Sequence, residues 1–179
     1  MSNKSFHREK GIVRLDQAKL KALALHYVGR YATTQAKLRR YLERKVGERE
    51  WDGDTAPDIA QIVDHCVGYG YVNDRSFAEA RADALARRGY GTMRISGALR
   101  QAGIDAQVTQ DICAQAPDDA LAAALRFAKR KSIGPFSSKV ADEKSRQRMM
   151  SALIRAGHSF EIARAIMRAR AEGMIDEEV

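Results

Sequence analysis

The chain has 179 residues and a formal net charge of +8, and 45% of its residues are hydrophobic. That apolar share is enough for hydrophobic cores, whereas 7% aromatic residues and three prolines argue against a strand-rich fold with many turns. The cationic surplus favours capture of polyanions, although an ordinary soluble protein can also be basic.

The N-terminal stretch, residues 1–15, is polar and basic without clear periodicity, and we expect a flexible tail. A first three-helix unit is predicted over 16–72, because apolar residues recur there at spacings that share one helix face. Its helix starts are marked by capping or first-turn residues, namely Asp16, Thr33, Thr34 and Pro57. The acidic stretch 47–55 is expected to be a loop.

A second unit over 73–116 and a third over 117–179 repeat this pattern. In the second unit, Asp74 and Asp105 are predicted helix caps and Gly103 a helix stop. The third unit is predicted to hold helices over 118–131, 142–156 and 159–171.

The last two units align at one constant offset of 54 residues. The aligned residues of the second unit are Ile95, Leu99, Gly103, Val108 and Ile112, and those of the third are Met149, Leu153, Gly157, Ile162 and Ile166. The first unit fits more loosely, since its matched positions differ in offset on either side of the acidic loop. We therefore predict an all-α fold, an elongated array of three tandem three-helix repeats with helix-turn-helix-like units.

No pattern of catalytic chemistry emerges from the chain, and we expect neither an enzyme nor a bound metal or cofactor. Cys66 and Cys113 lie far apart among apolar helical neighbours, which is typical of reduced cysteines in a cytosolic protein. None of the four histidines has another at the i+3 or i+4 spacing of a helical metal site. With neither a signal peptide nor a membrane-length apolar run in the sequence, we expect a soluble, cytoplasmic monomer.

Basic residues recur at matched positions of the middle helices, with Gln101 as the exception in the second unit. A helix turns about 100° per residue, so the positions one before and six after a core residue lie on nearly the same face. We predict that these residues, with neighbouring arginines, form a basic stripe that contacts an acidic or nucleic-acid surface. The basic stripe comprises Lys37, Arg39, Arg40, Arg44, Arg87, Arg88, Arg94, Arg100, Arg148 and Arg155. Charged residues that merely populate solvated helix faces are the alternative.

Residues 70–104, GYVNDRSFAEARADALARRGYGTMRISGALRQAGI, resemble the signature of the RecX family, regulators of the RecA recombinase. The matching residues are Gly70, Tyr71, Asp74, Phe77, Ala78, Arg88, Gly89, Tyr90, Gly91, Arg94, Ile95, Leu99, Gly103 and Ile104. The sequence departs from the family pattern at Asn73, at Ser76 and at His158, where an aromatic residue is common.

This resemblance implies a non-enzymatic modulator that binds RecA filaments on single-stranded DNA. Such a protein would inhibit the RecA ATPase, strand exchange and the co-protease activity of the SOS response, and so act in homologous recombination and DNA repair. Direct binding to DNA, weaker to duplexes, is a secondary expectation. The alternative is an autonomous DNA-binding protein of helix-turn-helix type. Tyr90, beside Arg87 and Arg88, is the one aromatic residue that the sequence suggests for stacking on a base.

Overall fold

The computed structural model describes residues 14–114, 120–137 and 142–169, and within these ranges the regular structure is helical. The predicted all-α class is therefore confirmed. The helices are α1 Gln17–Arg30, α2 Gln35–Gly47, α3 Ile59–Gly68, α4 Asp74–Arg87, α5 Thr92–Ala102, α6 Ala106–Ala114, α7 Ala120–Lys131, α8 Glu143–Arg155 and α9 Phe160–Arg168. A 3₁₀ turn, Gly134–Phe136, follows α7.

Side-chain caps explain where the helices begin. Asp16 accepts a hydrogen bond from the Lys19 amide at 2.8 Å, and Asp105 accepts one from the Gln107 amide at 2.7 Å. Asp142 and Ser159 cap α8 and α9 in the same way. Each cap satisfies an amide that the first helical turn leaves without an intrahelical partner.

Two predicted helix-start residues lie elsewhere. Pro57 comes before α3 and not in its first turn, because Asp58 is the cap and the helix begins at Ile59. Asp74 is not a cap but the first residue of α4, and its carboxylate accepts a hydrogen bond from the Gln35 amide at 2.9 Å.

The chain divides into two compact units, residues 1–74 and 75–179. The first unit packs α1, α2 and α3 around one hydrophobic core. Leu15, which the sequence analysis assigns to the tail, is fully buried in this core. Its amide donates to the Glu50 carbonyl at 2.8 Å, and its carbonyl accepts from the Asp52 amide at 2.8 Å, so the predicted loop pairs with it. Residues 1–13 of the expected tail lie outside the described residues.

The second unit contains two hydrophobic clusters, one from α4, α5 and α6 and one from α7, α8 and α9. The offset of 54 residues holds between them, since α6 and α9 are both nine residues long and begin 54 positions apart. The matched stops Gly103 and Gly157 both have positive φ, 81° and 92°. The predicted repeat is therefore present in backbone conformation as well as in burial.

Candidate binding surfaces

The segment Arg88–Gly91 joins the two clusters of the second unit. The Gly91 amide donates a hydrogen bond to the Ala156 carbonyl at 2.9 Å. His158 lies 3% exposed, and its Nε2 donates to the Gly89 carbonyl at 3.0 Å. Two hydrogen bonds thus fasten the turn between α4 and α5 to the turn between α8 and α9.

Both glycines of this segment are required by close packing. Gly89 has a φ of 76°, and a β-carbon there would lie 2.5 Å from the Phe127 nitrogen and 2.7 Å from the Ala123 carbonyl oxygen. A β-carbon on Gly91 would overlap the carbonyl of Gly157. These two glycines of the signature therefore act on structure, by letting α7 and the α8–α9 turn approach.

Tyr90 lies between these glycines and is surrounded by arginines. The guanidinium carbons of Arg88 and Arg130 each lie 5.5 Å from the Tyr90 ring centroid, within the range of cation–π contact. The pKa of the Tyr90 hydroxyl is lowered, first by a hydrogen bond from Arg130 and then by the charges of Arg88, Arg130 and Arg94. We call these four residues the Tyr90 cluster, and Arg130 is a member that was not predicted from the sequence.

His158 is linked to the Tyr90 cluster through the ring of Phe127. Its ring lies 5.9 Å from that of Phe127, which in turn lies 5.7 Å from Tyr90. The position at which the family commonly has an aromatic residue is thus filled here by an imidazole in an aromatic stack. Burial lowers the pKa of His158, so the ring is neutral at physiological pH and contributes no charge to the surface.

The first unit carries an open groove of about 820 Å³ between α1 and α2. Among the described residues that line it, every one is a tyrosine, histidine, lysine or arginine. Its principal cations are Arg30, Lys37, Arg40, Arg44 and Lys45. We call this the aromatic-basic groove. Such a lining offers positive charge and ring faces together, the combination that proteins use for nucleic acids.

Tyrosine rings form the floor of the aromatic-basic groove. The rings of Tyr27 and Tyr41 stack with centroids 4.2 Å apart and planes 16° apart, and Tyr31 tilts against Tyr27 at 5.3 Å. These three tyrosines were not predicted from the sequence as stacking aromatics. Tyr27, Arg30 and Tyr31 stand at i, i+3 and i+4 on one helix, a spacing that places side chains together and could have revealed them.

Glu48 lies beside the groove and neutralises part of its charge. Its carboxylate pairs with Lys45 at 2.6 Å and with Arg44 at 3.0 Å. These contacts lower the pKa of Glu48, with the Lys45 hydrogen bond as the largest cause. The groove nevertheless holds more cations than this one carboxylate can balance.

The predicted basic stripe is divided among several surfaces. Lys37, Arg40 and Arg44 line the aromatic-basic groove, and Arg88 and Arg94 belong to the Tyr90 cluster. The remaining stripe residues, all exposed, are Arg39, Arg87, Arg100, Arg148 and Arg155. The backbone of Arg94 lies directly against Gly157, so the first turn of α5 adjoins the last turn of α8, which carries Arg155.

Arg100 instead lines a separate groove of about 630 Å³ between α5 and α6, together with Cys113. Burial raises the pKa of both cysteine thiols, Cys66 and Cys113, which makes them poor nucleophiles at neutral pH. Across the described ranges no group of three metal-ligating side chains occurs, and none of the helices described is long and apolar enough to cross a membrane.

Comparison with known proteins identifies relatives over most of the chain. The family model described as "RecX, second three-helix domain" matches residues 73–111. The regulatory protein RecX of Myxococcus xanthus is 35% identical over 159 residues, 83% of each chain, and that of Agrobacterium fabrum is 28% identical over 153 residues, 83% of this chain and 82% of its own.

Solved structures of the same name share the fold. The crystal structure of RecX from Lactobacillus salivarius superposes with a TM-score of 0.64 at 18% identity and covers 86% of this chain and 95% of its own. A second structure, of a regulatory protein RecX, has a TM-score of 0.61 at 20% identity and covers 84% of this chain and 70% of its own.

Proposed function

The chain belongs to the RecX family of regulatory proteins, and from that premise we propose that it regulates the RecA recombinase without catalysing a reaction. It binds RecA filaments assembled on single-stranded DNA and inhibits their ATPase, strand exchange and SOS co-protease activity. Occupation of the filament, and no chemistry of its own, is the means of inhibition.

The observation that carries the proposal is the repetition of an exposed arginine at equivalent positions. Arg94 and Arg148 are 54 residues apart, each directly before the first aligned core residue of its helix, and both are exposed. A filament presents the same acidic features at regular intervals, so repeated cations on one protein can engage several of them. Weak contacts linked in this way strengthen one another through effective concentration.

The Tyr90 cluster adds to this surface. Arg88 and Arg130 lie over one ring, the charge of Arg94 also acts on it, and the last turn of α8 with Arg155 adjoins the same end of α5. The pKa of Tyr90 is lowered by this positive environment, which is also the environment that attracts phosphates and carboxylates.

Combined charge reversal of Arg94, Arg148 and Arg155 to glutamate tests the proposal. We expect affinity for RecA filaments on single-stranded DNA to fall by at least about ten-fold and to depend less on salt, because three cationic contacts become repulsive. Binding is measured by fluorescence anisotropy of the labelled protein at several salt concentrations.

A matched variant separates position from total charge. Arg81, Arg146 and Arg164 are exposed arginines of the same unit outside the basic stripe. Their combined reversal to glutamate lowers the net charge by six, from +8 to +2, as the first variant does. We expect it to bind filaments much more tightly than the stripe variant. Equal affinities of the two variants would reject the basic stripe as the binding surface.

A further inference from the structure

The aromatic-basic groove holds one tyrosine whose ring is open to solvent. Tyr31 is 54% exposed and ends α1 as its C-terminal cap. Its ring rests against Tyr27 at 5.3 Å, and the guanidinium carbon of Arg30 lies 6.0 Å from its centroid. The ring therefore presents an accessible aromatic surface beside a cation.

The floor beneath Tyr31 is anchored to the core of the first unit. Tyr27 and Tyr41 are half-buried, pack against that core and stack on each other across α1 and α2. An aromatic pair that bridges two helices in this way has little freedom to move. Tyr31 thus projects from a preorganised base, which reduces the entropy lost when a ligand binds.

Apart from Arg30, the lysines and arginines of the groove lie on α2. Lys37 is half-buried and Arg40 is exposed, and the Arg40 Nε donates to the Ala36 carbonyl at 3.2 Å. That hydrogen bond is local to α2 and uses the Nε of Arg40, not its two terminal nitrogens. Phosphates are suitable partners, because arginine binds them with two parallel N–H donors.

We propose that the aromatic-basic groove binds single-stranded nucleic acid, with an unpaired base stacked on Tyr31 and the neighbouring phosphates on Lys37, Arg40 and Arg44. A single strand is favoured over a duplex, because only unpaired bases expose their faces for stacking on a side chain. An acidic peptide would satisfy the cations but would leave the open ring without a partner. The site deepens the proposed function by naming a contact with the DNA strand, and it operates without RecA.

The test measures binding of the full chain to labelled oligonucleotides by fluorescence anisotropy in the absence of RecA. One strand is a thymidine oligonucleotide of about twelve nucleotides, within the usual site sizes of single-strand binders, and the other is an abasic strand of the same length. Tyr31→Leu should weaken binding to the thymidine strand by on the order of ten-fold, as loss of one stacked base does. The same substitution should leave binding to the abasic strand unchanged, while Tyr31→Phe should keep the wild-type affinity for both.

Tyr69→Leu is the matched control. Tyr69 is 68% exposed and is the C-terminal cap of α3 in the same unit, but it lies outside the groove. We expect this variant to bind both strands like the wild type. A similar loss of affinity of Tyr31→Leu for a uridine oligonucleotide would also support the proposal, since RNA carries the same stacking faces and phosphates.

Three results would overturn the proposal. The first is wild-type affinity of Tyr31→Leu for the thymidine strand. The second is an equal loss of affinity for the abasic strand, which would mean that Tyr31 does not act by stacking on a base. A poly-glutamate peptide that binds as tightly as the thymidine strand, with the same dependence on Tyr31, would also overturn it. Because RecA is absent, the outcome is independent of whether the protein inhibits RecA.

Discussion

Replacement of Gly89 by alanine probes the joint between the two clusters of the second unit. Gly89 has a φ of 76°, a left-handed conformation that costs an L-residue about 1–2 kcal/mol. The new β-carbon would also lie 2.5 Å from the Phe127 nitrogen, and this contact is with the backbone of α7. The helix must shift to relieve it, and overpacking of this kind costs about 1–3 kcal/mol.

The two costs together amount to about 2–5 kcal/mol, a large share of the 5–15 kcal/mol that typically stabilises a folded protein. For a protein of this size we expect the melting temperature to fall by roughly 4–20 °C. Thermal unfolding followed by circular dichroism at 222 nm, the helix signal, measures it.

Gly97→Ala is the matched control, because Gly97 lies within α5 and an added β-carbon would meet no atom within 4 Å. A helical glycine in open space gains about 0.5–1 kcal/mol on replacement by alanine. The two substitutions should therefore move the melting temperature in opposite directions. A Gly89→Ala protein as stable as the wild type would refute the structural role assigned to this glycine.

Further predictions concern the repeat, a buried imidazole and the groove. Leu99→Ala and Leu153→Ala, at aligned and fully buried positions, should each cost about 2–5 kcal/mol in urea unfolding, and a loss below 1 kcal/mol at either would contradict the alignment. Burial lowers the pKa of His158 below its usual 6.5, so the unfolded state takes up a proton first and stability falls as the pH drops below about 6.5. This part of the pH dependence of stability should vanish in His158→Phe, and its persistence would argue against a buried neutral ring. Glu48→Gln should raise the affinity for single-stranded DNA about two- to five-fold, because it releases two groove cations from an exposed ion pair. Glu79→Gln makes the same charge change outside the groove and should have a smaller effect.

Local patterns were sufficient to predict the helices. Apolar spacing predicted their buried faces, and short-range caps such as Asp16 and Asp105 predicted their starts, because each acts within four residues. The pairing of Leu15 with Glu50 and Asp52 could not be predicted in this way. It depends on backbone hydrogen bonds between segments about 36 residues apart, which leave no periodic signal.

The residues of the candidate surfaces were predicted only in part, because sequence spacing indicates neighbours on one helix but not contacts between distant segments. Matched positions on the helices identified Lys37 and Arg44, with Arg40 between them, and the structure brings all three together in one groove. Arg130 reaches Tyr90 from 40 residues further along the chain, so no local spacing indicated it. Whether these residues bind a RecA filament stays a prediction.

The most direct test of the central claim is the DNA-dependent ATPase activity of RecA with this protein titrated in. If the protein regulates filaments, ATP hydrolysis should be inhibited well below one chain per RecA protomer, because one bound regulator affects many protomers of a filament. Inhibition only at concentrations that coat the DNA, or an ATPase rate that does not change, would contradict the account.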